Sequence, residues 1–113
     1  MNQKIKARWL KALRSGRYKQ AKEQLRTGFQ PGPYSYCCLG VLCDLARKSG
    51  IGEWDDGKFN GHAGDLPEVV VDWAGLESSN PEVMTRAGID YLANLNDGGR
   101  TFKQIANYIE KSL

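Results

Sequence analysis

The chain reads as one mainly helical α+β domain, with four to five helices and a small β-hairpin element. Three observations predict this. Apolar residues recur at helical spacing in several separate stretches. Asp56-Gly57, between Trp54 and Phe59, has the composition of a two-residue hairpin turn. The length of 113 residues suits a single core over residues 1–113, with no linker, repeat or low-complexity segment to divide it.

Taken in order, Ile5, Trp9, Ala12 and Leu13 share one helical face, with Lys4, Arg8 and Lys11 in a stripe beside it. Ser15-Gly16 interrupts the pattern. Tyr18, Ala21 and Leu25 restart it, flanked by Lys19, Lys22 and Arg26. This spacing predicts a second helix over 18–26, paired with or kinked from the first. Two glycines and two prolines make 27–33 a loop. Ser35 is placed to cap a third helix that closes on Arg47, Lys48 and Gly50. That helix is apolar nearly all round, as a central element must be. Gly40 inside it costs about 1 kcal/mol of helix propensity, so another backbone is expected to pass close by.

Residues 52–66 hold four glycines. The Asp56-Gly57 turn, expected as type I′, sets Trp54 opposite Phe59 as a cross-strand aromatic pair. Pro67 opens a fourth helix that presents Val69, Val70, Trp73 and Leu76 on one face and ends at Gly75; a strand through the valines is the alternative. Val83-Met84 and Ile89-Tyr91 flank a turn at Arg86-Ala87-Gly88 and suggest a short hairpin. Thr101 and Gln104 form a capping box. Phe102, Ile105, Ala106 and Ile109 then give a last helix to about Lys111.

Composition limits the function. The net charge of +3 is unevenly spread: residues 1–30 carry nine basic groups and one acid, Glu23, while the remainder is net acidic. Such a field favours an anionic partner or self-association of opposite faces. No apolar run reaches the ~20 residues of a membrane span, and no secretory leader is visible. Three cysteines, two of them adjacent, do not suggest a disulfide framework. A reducing cytoplasm fits best.

The thiols invite a catalytic or metal role. Cys37, Cys38, Cys43 and His62 are zinc-ligand types, but on a helix of roughly 100° per residue Cys38 and Cys43 diverge by about 140°. A nucleophilic Cys37 in a first helical turn would need His62, the only histidine, as its base. The reading that best suits the apolar run around them is core packing. No metal, no cofactor and no catalytic residue are therefore expected. HExxH, GxSxG and P-loop patterns are absent.

The segment Leu95 to Phe102 is the strongest binding candidate. Two glycines and Arg100 precede a capped helix start, where backbone N–H groups and the helix dipole favour anions. Asn96 and Asp97 could read a sugar or base edge, and Thr101 closes the cap. Tyr18, Lys19 and Lys22 could face phosphate. Trp54 and Phe59 could stack on a base.

Three blocks, RWLKALRSGRYKQAKEQLR (8–26), YCCLGVLCDLA (36–46) and LANLNDGGRTFKQIANYIE (92–110), together with LPEVVVDWAGL (66–76), resemble a group of small proteins of tailed phages and prophages. Where many of that group carry a glycine near 21–22, this chain has Ala21-Lys22. The resemblance implies an accessory role in countering host defence, and it assigns no residue a function. The expectation is a non-enzymatic protein that binds a phosphate-bearing nucleotide and sequesters a defence signal in the host cytoplasm. The alternative is an inhibitor directed at nucleic acid or a host protein through the basic N-terminal helices. A homo-oligomer is compatible with either; a membrane partner is not expected.

Overall fold

The computed structural model describes residues 1–29 and 31–113. Gln30, inside the expected loop over 27–33, lies outside the described residues. The architecture is α+β, mainly helical, as the sequence predicts. Among the described residues five helices, α1 (Gln3–Arg14), α2 (Cys38–Lys48), α3 (Glu68–Ala74), α4 (Leu92–Asp97) and α5 (Phe102–Ser112), surround one core. Seven short strands among the described residues form three small sheets. β1 (Lys19–Gln20), β3 (Ser35–Tyr36) and β2 (Arg26–Thr27) make one, in that order; β4 (Trp54–Asp55) pairs with β5 (Lys58–Phe59), and β6 (Glu82–Thr85) with β7 (Gly88–Tyr91).

α2 is the centre. Every residue from Cys38 to Ala46 is buried, and α1, α3 and α4 pack around it. Trp9 of α1, fully buried, donates its indole N–H to the Cys38 carbonyl at 3.0 Å. α1 also lies along α5, where Arg14 pairs with Glu110 at 3.0 Å and donates to Asn107. The reason for Gly40 is now explicit. A Cβ there would stand 1.7 Å from the Leu25 carbonyl oxygen, so the chain crossing over α2 leaves space for hydrogen only.

The expected helix over 18–26 is absent. Tyr18, Ala21 and Leu25 have helical spacing, but the backbone there is claimed by distant partners. Lys19 and Gln20 pair in parallel with Ser35 and Tyr36. The Ala21 amide donates to Tyr36, the Leu25 amide donates to Ala63, and the Leu25 carbonyl accepts from Cys37. Glu23 takes φ 71°, which a helix forbids. Leu25 is buried, as the apolar pattern demands, yet from an irregular segment. β1–β3–β2 pairing also displaces the start of α2. Ser35 is a strand residue, and Cys37 is the N-cap, its sulfur accepting from the Gly40 amide at 3.4 Å.

Both hairpins form. Trp54 faces Phe59 in β4–β5, but the turn is not type I′: Asp56 has φ 55° while Gly57 stays outside the left-handed region. Glycine is required there for a different reason, since a Cβ would meet the Arg26 carbonyl at 2.7 Å. In α3, Val70 and Ala74 face the core and Val69 points outward, 43% exposed. The valine run thus packs through Val70, with Val71 half-buried against the core. Residues 92–97, without an expected element, form α4, which follows β7 directly. No helix among the described residues is long and apolar enough to cross a membrane.

Candidate functional site

The end of α4 and the loop that follows it are fastened to the segment that the sequence makes helical, through the backbone of that segment and the Gln20 side chain. Asn96, fully buried, accepts from Gln20 Nε2 at 3.0 Å and from the Cys38 amide at 3.1 Å, and donates to the Ala21 carbonyl at 2.7 Å. Asp97 accepts from the Glu23 amide at 2.8 Å. Gln20 also donates to the Arg100 carbonyl and accepts from the Phe102 amide. The capping box is complete, with Thr101 and Gln104 bonding each other's backbone.

The first amides of α5 are therefore largely occupied by carboxamide and hydroxyl oxygens. Asn96, Asp97 and Thr101 are tied up within the fold. Lys19, Lys22 and Arg100 are exposed, and the Gln20 clamp brings their segments to one rim.

A different cleft has the composition of a binding site. It is an open concavity of about 760 Å³ lined by Arg26, Tyr34, Tyr36, Asp44, Arg47 and Trp54, with Glu53, Asp55 and Asp56 at its edge. Its floor includes Tyr36 and Trp54, the middle members of an aromatic series joined edge to face: Tyr18–Tyr36 at 5.0 Å, Tyr36–Trp54 at 5.9 Å and Trp54–Phe59 at 4.9 Å between centroids. The hairpin supplies two members. Phe59 is fully buried and anchors it, whereas Trp54 remains half-buried at the cleft.

Two charged groups organise this floor. Arg26, only 7% exposed, lies between two rings, 3.9 Å from the Tyr34 centroid and 4.4 Å from that of Trp54. Its Nε and Nη2 donate to the Asp56 carbonyl. Among the described residues no carboxylate stands within ion-pair distance of it. The Tyr34 hydroxyl beside it is buried and has no hydrogen-bond partner among the described residues.

Asp44 is the acid within the apolar helix. It accepts from Tyr18 Oη at 2.7 Å, Arg47 Nε at 2.9 Å and Trp54 Nε1 at 3.1 Å. Burial alone would push its carboxyl up. The bonds from Arg47, Tyr18 and Trp54 together outweigh that and hold it below the usual carboxylate range. The same arrangement raises Tyr18, by burial first and then by the adjacent carboxylate. Lys48 closes the chain of contacts by donating to Tyr18 Oη at 3.2 Å.

A pH dependence follows. A depressed native pKa contributes stability above the unfolded carboxyl value, near pH 4, and loses it as pH falls through the native value. Urea midpoints should hold steady near neutrality and fall below about pH 4. Asp44→Asn should cost about 2 kcal/mol at neutral pH and flatten part of that acid limb. An unchanged acid limb would show that Asp44 is not responsible for it.

The thiols do not join a site. All three are buried. Burial pushes Cys37 up to about 11, against the lowering effect of the Gly40 and Leu39 amides. Cys38 and Cys43 are raised by burial as well. His62 instead contacts Asp65 at 3.0 Å on the surface. No cluster of three metal-ligating side chains occurs among the described residues.

Sequence reasoning placed Trp54 and Tyr18 at a site but missed Arg26, Tyr34, Tyr36, Asp44 and Arg47. One signal was available: a lone aspartate in an otherwise apolar helix must find partners. A family model, described as a domain of unknown function (DUF8296), matches residues 1–113. No curated protein and no solved structure matches the chain.

Proposed function

Since the chain belongs to the DUF8296 family, a domain of unknown function, its chemistry has to come from its own residues, and we propose that it is a non-enzymatic binding protein for a phosphate-bearing nucleotide. The site is the Arg26–Trp54 cleft. The observation that carries this reading is the buried Arg26 guanidinium without a carboxylate partner among the described residues. A buried charge needs a counter-charge, and an anion entering the cleft supplies it.

Each part of such a ligand has a counterpart. A base stacks against the Tyr34 or Trp54 plane, a contact worth about 1–3 kcal/mol. Arg26 and Arg47 take the phosphate, and the Tyr34 hydroxyl gains the partner it lacks. Glu53, Asp55 and Asp56 accept from sugar hydroxyls or an exocyclic amine. The volume lies within the usual range for small-ligand sites. Retention without turnover serves sequestration of a nucleotide signal, the anti-defence role in a host cytoplasm that the likeness to phage proteins suggests. Lys19, Lys22 and Arg100, on a neighbouring rim, raise the local potential for anions.

Isothermal titration against cyclic and ADP-ribose-type nucleotides tests the reading. At least one should bind, and Arg26→Gln should weaken it roughly 10–100-fold. Tyr34→Phe, which keeps the ring, should weaken it less. Silence across the panel up to about 100 μM ligand, equivalent to under roughly 5.5 kcal/mol of binding, would overturn it. So would binding indifferent to both substitutions.

A further inference from the structure

The β6–β7 hairpin leaves one face unpartnered. Glu82 pairs with Tyr91 and Met84 with Ile89, and opposite residues of an antiparallel pair share a face. The inward side holds Val83, which is buried; the outward side carries Met84, Ile89 and Tyr91, which are 57%, 65% and 45% exposed. Three large apolar side chains grouped on one short hairpin are unusual for a solvated surface. The patch continues into an open groove of about 740 Å³ whose walls include Leu76, Pro81 and Leu113. Neither face nor groove shares a residue with the Arg26 cleft.

We infer that this face binds a second copy of the same chain, hairpin against hairpin about a two-fold axis. The charges choose this occupant. Glu82 stands at the open end of the hairpin beside Tyr91, and Arg86 at its tip; both are exposed and neither makes an ion pair among the described residues. A two-fold axis at the Met84–Ile89 pair lays the tip of one hairpin over the open end of the other. Arg86 of each copy then meets Glu82 of the other and covers the Tyr91 ring, a cation–π contact. Apolar centre and opposite charges at both ends are the self-complementary pattern of an isologous interface.

The apolar patch is small beside the roughly 800 Å² per partner of standard interfaces. The dimer is accordingly a reversible one, with a dissociation constant on the order of 10 μM. Sedimentation velocity over about 2–200 μM, a span that brackets that constant, should show the mass rising from one copy to two. Arg86→Glu should weaken association at least about tenfold, and exchanging the charges (Glu82→Arg with Arg86→Glu) should restore it to within about threefold. Ile89→Thr should abolish it. These side chains are exposed, so circular dichroism should match the parent chain. A parent that stays monomeric throughout, including one whose hairpin instead takes up an apolar dye, overturns the inference. A charge-exchanged chain that associates no better than Arg86→Glu does so too.

Discussion

Gly40→Ala should remove most of the folding stability, although alanine is the better helix former by about 1 kcal/mol. The added methyl would lie 1.7 Å from the Leu25 carbonyl oxygen and 2.7 Å from its carbon. Those are backbone atoms, so no rotamer change relieves the clash. Moving residue 25 away breaks the bond from the Cys37 amide to the Leu25 carbonyl and lifts the fully buried Leu25 side chain. Overpacking of this kind costs about 1–3 kcal/mol where side chains yield; here the cost should exceed about 3 kcal/mol. Urea unfolding measures it. A shift below about 1 kcal/mol would mean that the 22–26 segment is not seated on α2 as described.

Asn96→Ala should come next, at about 3–5 kcal/mol. It leaves the Cys38 amide and the Ala21 carbonyl without Asn96, and it removes one of the two bonds that Gln20 Nε2 donates. Asn96→Asp is the sharper test because its shape is conserved. The aspartate keeps the two accepted bonds but sets a carboxylate against the Ala21 carbonyl in a site without solvent. It should destabilise at neutral pH and recover partly on acidification, when the carboxyl protonates and can donate. Equal stability of Asn96→Asp and the parent at neutral pH would remove the hub role assigned to this residue.

These two positions also mark where the sequence was legible. Gly40 is costly in a helix, and its cost correctly implies a close neighbour. The capping box at Thr101–Gln104, the Trp54–Phe59 pairing and the existence of the second hairpin follow from short-range rules and hold in the structure. Asn96 was legible as a polar residue of interest, but not in its surroundings. Its partners Gln20 and Cys38 lie 76 and 58 positions away, and a single sequence does not encode such distances in its spacing.

The same reason explains the missed segment. Tyr18, Ala21 and Leu25 show the period of a helix, yet the backbone between Lys19 and Leu25 is paired with residues 35–37 and 63. Tertiary pairing overrides local pattern wherever the local element has little to hold it alone. α4 was missed for the opposite reason: six residues with no side-chain cap give too little periodic signal. The cleft joins β2, β3, α2 and β4, four elements between residues 26 and 56. Each contributes one or two residues that look unremarkable alone: an arginine in a basic run, two tyrosines after a loop, one aspartate among leucines.

The way residues 19–24 are fastened has a consequence for variation. Their anchors are backbone amides and carbonyls, plus the single Gln20 carboxamide; the side chains of Lys19, Lys22, Glu23 and Gln24 all lie exposed. Related chains are thus free to exchange the side chains at 19, 22 and 24, and at 23 those that tolerate its φ of 71°, and so to reset the sign and density of charge along that rim, while the underlying path of the backbone stays where it is.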